Sequence, residues 1–212
     1  MNPILIPRKE SNIFTYIMEY IRYGDDLTVF RFFTGLLKQP LTGFHGELLI
    51  VKGKTLKEIG YRTPGMVEDF RFALEIVKKE YKTWQTSTKV SIRPPNSLFD
   101  IFNQRSRWYK GIIMEFRHCP FLMKIIIGLR LIIWTFGIFG SWLLVPLWLY
   151  WEPFYFAIPG GIYYWVIYIY GVWKSKKPYY FFLIPFFGIC EAISIVFTFK
   201  QKRNEFVVID KN

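Results

Sequence analysis

The chain of 212 residues predicts an α/β front domain followed by a helical membrane region. Three observations predict it. Strand-like and helix-like apolar patterns alternate through residues 1–118. Three long apolar runs with almost no charge follow them. Lysines and arginines crowd the joins around those runs and contribute to a net charge of +12.

The first elements are short. Ile4-Leu5-Ile6 reads as a strand closed by Pro7. Asn12 is placed to cap a helix with Ile13, Ile17, Tyr20 and Ile21 near helical spacing, and Gly24-Asp25-Asp26 is expected to break it. Asp25 and Asp26 do not form a D-x-D and read as capping residues at a helix junction. A second helix is expected over 26–37, a loop over 40–46 and a buried strand over 47–51. Residues 55–58 make one helical turn ended by Gly60, and Pro64-Gly65 marks a turn within a loop over 61–66.

Phe70, Ala73, Leu74, Val77 and Tyr81 fall on one face of an amphipathic helix. Glu68 and Asp69 stand at its N-terminus, where the helix dipole favours negative charge. Two short strands are expected over 81–86 and 89–92. Pro94-Pro95-Asn96-Ser97 then starts a helix that carries Gln104-Arg105-Ser106-Arg107-Trp108.

The apolar runs 131–151, 154–173 and 179–199 are each long enough to cross a bilayer, with Trp and Tyr at their ends as interfacial belts. The chain therefore divides into a front domain with an interfacial helix (1–118), a membrane part (119–200) and a polar tail (201–212). Lys174, Lys176 and Lys177 favour a cytoplasmic loop, and Arg105, Arg107, Lys110, Arg117 and Lys124 favour entry into the first run from the same side. Lys200, Lys202 and Arg203 favour that side too. One span cannot join two cytoplasmic ends, so either the tail is translocated or the third segment is re-entrant, as Pro185, Gly188 and Glu191 allow.

Composition narrows the function classes. No nucleic-acid module is recognisable, so the basic charge points to lipid headgroups or a phosphate-bearing substrate. Two distant cysteines, Cys119 and Cys190, argue against a disulfide framework, and His118 beside Cys119 lacks metal-ligand spacing. The N-terminal apolar run is too short for a signal peptide.

Several residues suit group transfer. A carboxylate such as Asp69 can take a proton from an attacking hydroxyl, although an acidic pair is also common at any helix start. Arg105 and Arg107 offer forked donors to a diphosphate, or to lipid headgroups. Gln104 both donates and accepts hydrogen bonds. Trp108 is either a flat platform for a sugar face or an interfacial anchor. Gly46 lets backbone approach a ligand and His45 can bond a phosphate or hydroxyl, unless the segment is a plain turn. Glu191, in an apolar run, either lines an acceptor path or bonds a neighbouring helix.

The acidic pair of Val67-Glu68-Asp69-Phe70, then Q-x-x-R-W at Gln104 to Trp108, then membrane spans, resembles the membrane-bound family 2 glycosyltransferases. The nearest likeness is to the egghead-type β-1,4-mannosyltransferases. It extends to Tyr23-Gly24-Asp25-Asp26 with Arg31-Phe32, to Lys38-Gln39-Pro40-Leu41, to His45-Gly46-Glu47-Leu48-Leu49-Ile50-Val51 and to Phe206-Val207-Val208-Ile209. The resemblance implies a partial GT-A domain and inverting transfer of mannose or glucose from GDP-mannose or UDP-glucose. The acceptor it implies is lipid-linked or a glycan, at the cytoplasmic membrane face, and the cofactor is Mg²⁺ or Mn²⁺. It implies Asp69 as catalytic base with Glu68 beside it, and Gln104, Arg105, Arg107 and Trp108 as the acceptor and diphosphate motif.

The family's nucleobase-binding strands and its D-x-D belong to a half that these residues do not match. The metal ligands are therefore expected outside this chain, and a separate N-terminal half or partner chain is expected. The alternative is a non-catalytic membrane accessory subunit descended from such an enzyme. A small transporter would leave the front domain without a purpose.

Overall fold

The computed structural model describes residues 1–8, 12–60, 67–143 and 158–200. The expected loop over 61–66 and the polar tail lie outside the described residues. Strand β1 (Asn2–Pro7) leads to helix α1 (Ile13–Asp25) and then to α2 (Asp26–Leu36), which winds with a wide π pitch. A short α3 (Gly53–Ile59) precedes α4 (Glu68–Lys78), β2 (Gln85–Ile92) and the long α5 (Leu98–Glu115). The C-terminal part holds α6 (Phe121–Leu143), α7 (Ile158–Lys174) and α8 (Ile184–Lys200), with a 3-10 segment Pro178–Leu183 leading into α8.

Local chemistry explains the ends of these elements. The Asn12 side chain accepts from the N–H groups of Phe14 and Thr15, which starts α1. Ser97 accepts from the Asp100 N–H at 3.1 Å and starts α5 in the same way. Gly60, at φ +74°, ends α3 in a conformation that costs glycine nothing.

Four expectations need correction. Gly24-Asp25-Asp26 does not break α1: the chain continues directly into α2, with the N–H of Asp26 still bonded to Arg22 and Tyr23. A helix tolerates one glycine, and here the missing side chain makes room for Ile167 of α7, which a Cβ would approach to 3.3 Å. Asp25 gives no capping bond, and Asp26 is fully buried with its carboxylate turned to the Leu5 N–H at 2.6 Å. The expected strand over 47–51 forms no ladder: Leu48 and Ile50 are 38% and 55% exposed, and the pairing found is the mutual backbone exchange of Ile50 with Met1. The two short strands expected over 81–86 and 89–92 are one strand, β2 (Gln85–Ile92), which pairs in parallel with β1 across a register shift between Asn2 and Ile4.

The front elements and the C-terminal helices share one core. Ile17, Met18 and Tyr20 of α1 pack with Ile101 of α5, Tyr164 and Tyr168 of α7, and Phe187 of α8. Helix α5 runs along α8, and α6 along α7. A second cluster, with Val67, Phe70 and Leu74 against Met123 and Ile127, ties the start of α4 to α6.

Among the described residues, one segment is long and apolar enough to cross a membrane: Pro178–Phe199, 22 residues with a mean hydropathy of 2.1. Three spans are thus not what the described residues display. The first two expected runs reach into residues 144–157, which lie outside the description. Helix α6 begins ten residues before its expected run and takes in Lys124 and Arg130.

Candidate active site

The segment after α2 turns back at Gly43, whose φ of +100° favours glycine and whose absent Cβ would lie 3.1 Å from the Phe70 ring. This turn lays Phe44, His45 and Gly46 across the N-terminus of α4. A Cβ on Gly46 would sit 3.1 Å from Asp69 Oδ2, so the loop backbone rests directly against that carboxylate. The other Asp69 oxygen accepts the Phe70 N–H at 2.7 Å.

Burial raises the pKa of Asp69 above the ordinary carboxylate value. The Phe70 N–H opposes that rise, neighbouring Glu68 adds to it, His45 opposes it and Glu47 adds to it. The result is a more basic carboxylate than one in water.

His45 is held from behind. Its Nε2 lies 2.5 Å from Asp26 Oδ1, and its ring stacks on Phe30 with centroids 4.2 Å apart. Asp26 thereby links the loop to β1 through Leu5.

Helix α5 reaches the same place because Gly111 allows it. A Cβ there would lie 2.4 Å from Val67 Cγ2 and 2.7 Å from Cγ1, so no larger residue fits where α5 crosses the start of α4. One turn earlier on α5 for Arg107 and Trp108, and two turns earlier for Gln104, these side chains border with the acidic pair a cavity of about 550 Å³. That volume lies in the range of small-molecule sites. Glu68, Asp69, His45, Gly46 and Arg105 line it too, so every site residue expected from the sequence borders one space.

The arginines differ. Arg105 is buried and donates to Glu19 Oε1 at 3.1 Å and to the Met18 carbonyl at 3.3 Å, and its Nε lies 3.5 Å from Glu191 Oε1. Arg22 donates to Glu19 Oε2 at 3.1 Å and also pairs with Glu47. Burial works against the charge of Glu47, but Arg22 and then His45 hold its pKa down to about 2. Both guanidiniums lie against the Trp108 ring, Arg22 at 4.9 Å and Arg105 at 4.6 Å from its centroid. Arg130 of α6 pairs with Asp25, which also accepts from the Tyr163 hydroxyl at 2.6 Å. The Nε atoms of Arg22, Arg105 and Arg107, all lining the cavity, find no hydrogen-bond partner among the described residues.

Of the two readings of Glu191, the bond to a neighbouring helix is found: it meets Arg105 on α5, and it also borders the cavity. The sequence reading missed Glu19, Arg22, Glu47, Asp25 and Arg130. A signal for two of them was present. Thr15, Glu19, Arg22 and Asp26 recur at helical spacing along α1 into α2, and all four are buried. A polar stripe of that period in an otherwise apolar segment marks a face turned to other polar groups.

Elsewhere, Cys119 and Cys190 are free and buried, and His118 is exposed and bonded by Arg117. Among the described residues, no three His, Cys, Asp or Glu side chains gather into a metal-binding group.

The family model for "Glycosyl transferase family group 2" matches residues 1–189. The chain is similar to "Beta-1,4-mannosyltransferase egh" of Drosophila melanogaster, at 22% identity over 95% of this chain and 49% of that protein. It is also similar to "Beta-1,4-mannosyltransferase bre-3" of Caenorhabditis elegans, at 23% identity over 58% of this chain and 28% of that protein. The chain thus spans about half the length of the first of these relatives and less of the second. No solved structure matches it significantly.

Proposed function

We propose, from the premise that this chain belongs to glycosyl transferase family group 2, that its cavity is the acceptor side of an inverting hexosyltransferase site. The observation that supports this reading is the convergence of Asp69, Gln104, Arg107 and Trp108 on one cavity from two separate helices. The donor is a nucleotide sugar, GDP-mannose or UDP-glucose, and the acceptor is a hydroxyl on a lipid-linked sugar or glycan.

In this proposal the acceptor sugar lies on the Trp108 ring. Its hydroxyl oxygen attacks the anomeric carbon while Asp69 takes the hydroxyl proton, which its raised pKa favours. The new C–O bond forms as the bond from the anomeric carbon to the diphosphate oxygen breaks, on the opposite face. Arg107 is placed to meet the charge that develops on the leaving diphosphate. Mg²⁺ or Mn²⁺ finds no three-ligand group among the described residues. In this proposal its ligands come from outside this chain, as does the donor-binding half.

The proposed setting is a membrane surface, on the cytoplasmic side that Lys174, Lys176 and Lys177 favour. In support, α7 is apolar on its outward side as well as its packed side: Ile162, Val166, Ile169 and Trp173 are exposed. Phe182 and Phe199, at either end of the apolar segment that includes α8, are 82% and 81% exposed.

The test is hexose transfer in membranes holding this chain together with a segment that supplies the donor-binding half. Labelled GDP-mannose and UDP-glucose are offered with a short-chain glycolipid. The proposal expects a product with inverted anomeric configuration from one donor. A product with retained configuration, or none with either donor, contradicts it. If this chain instead co-purifies with a complete transferase whose rate ignores Asp69→Asn here, the accessory-subunit reading replaces it.

A further inference from the structure

Glu19 lies on the stripe that α1 turns inward and is 1% exposed. Its two carboxylate oxygens are divided between two arginines: Oε2 receives Arg22 and Oε1 receives Arg105, each at 3.1 Å. Those same two guanidiniums are the pair that lie against Trp108. A flexible arginine has several rotamers, and a cation near an aromatic ring is by itself a weak tether. One carboxylate shared by both removes that freedom, because the two guanidiniums can satisfy it together only in one relative placement.

We propose that Glu19 is a positioning residue that fixes the Trp108 ring in the cavity by locking Arg22 and Arg105 against it. This rests on the acceptor-platform reading for its purpose, but the geometric claim stands apart from it. The outer ends of the network are anchored as well, Arg22 by Glu47 on the loop beside Asp69 and Arg105 by Glu191 on α8. Glu19 is the shared centre. Losing it takes a carboxylate partner from both arginines at once, whereas losing Glu47 or Glu191 takes one from a single arginine.

The test uses the full chain in lipid nanodiscs, labelled with 5-fluorotryptophan, with the Trp108 signal assigned by Trp108→Phe. Glu19→Gln keeps the shape and removes the charge. The expected result is a shifted or broadened Trp108 signal in the ligand-free protein, with the signals of Trp84 and Trp173 in place. An unmoved Trp108 signal overturns the proposal, and so does a joint movement of all tryptophan signals, which would make Glu19 a general structural residue.

Glu19→Asp keeps the charge with a shorter reach and serves if the glutamine variant does not fold. Its Trp108 signal is expected to shift less than in Arg22→Lys, which removes the planar guanidinium; the reverse order overturns the proposal. Methyl β-glucopyranoside is then titrated. The wild-type Trp108 signal is expected to respond, and Glu19→Gln to need about tenfold more glycoside. If wild type does not respond while Glu19→Gln still moves the ligand-free ring, the positioning stands and the acceptor-platform reading fails.

Discussion

On one wall of the cavity, Asp69, His45 and Gly46 sit on a helix start and a loop, where the Phe70 N–H holds Asp69 and the Asp26 carboxylate and Phe30 ring hold His45. On the other, Arg22 and Arg105 sit inside helices, and each meets two carboxylates. The first wall leaves Asp69 with a half-buried carboxylate of raised pKa and, among the described residues, no salt-bridged cation. The second has its charges matched and its aromatic ring braced. A base must change its protonation during a reaction, so a strong ion pair on it would be a hindrance. A platform must keep its place, and paired charges serve that. The walls should therefore respond in opposite ways when they are damaged.

The largest separation is expected from Asp69→Asn. Transfer should fall by about 10²–10⁴-fold, the range for loss of a general base, while the thermal unfolding of the purified protein stays where it was. Arg105→Ala should act first on stability. It leaves buried Glu19 and Glu191 without their shared cation, which costs about 3–5 kcal/mol of stability, seen as a lower unfolding midpoint in detergent. An unfolding midpoint that drops with Asp69→Asn and not with Arg105→Ala would invert the comparison.

Gly111→Ala attacks the contact that sets the distance between the walls. The new Cβ meets Val67 at 2.4 Å, so α5 must move away from the acidic pair. Alanine favours the helix itself, yet transfer should drop on the order of 100-fold, as for a displacement of about 1 Å at a reacting centre. Activity at the wild-type level would mean that the two helices need not keep their spacing.

The smallest effect is in pH. Glu47 has its pKa lowered in the fold to about 2 from 4.5, so its contribution to stability is present above about pH 4.5 and is lost as pH falls toward 2. Glu47→Gln should flatten that acid limb of the unfolding curve. Asp69 shifts the other way, so activity should already decline with falling pH above the ordinary aspartate value of 3.8. A rate independent of pH through that region would remove Asp69 as the ionising group.

The same contrast governs what could be read from the sequence. Glu68-Asp69 and Gln104 to Trp108 are short local patterns, and helix caps such as Asn12 and Ser97 are written within a few residues, so these were legible. The brace was not. Glu19 and Arg105 meet across 86 residues of chain, and Arg130 meets Asp25 across 105. No local window holds both partners. The strand expected over 47–51 failed for a related reason: an apolar run names a strand only if a neighbouring edge is there to pair with it, and here the edge offers Met1 alone. Gly24 misled because a glycine within a helix and a glycine that ends one look alike until the neighbour, Ile167, is known.

The central claim is that the acidic pair and the Gln104 to Trp108 helix form one acceptor site. Photolabelling tests it most directly, using an alkyl β-glucoside that carries a diazirine on the sugar, with the chain in nanodiscs and peptides mapped afterwards. The account predicts labels on peptides from both Glu68–Lys78 and Leu98–Glu115, competed by free glucoside and lost together in Trp108→Ala. Labels confined to the exposed apolar faces of α7 and α8, indifferent to competitor and to Trp108, would contradict it.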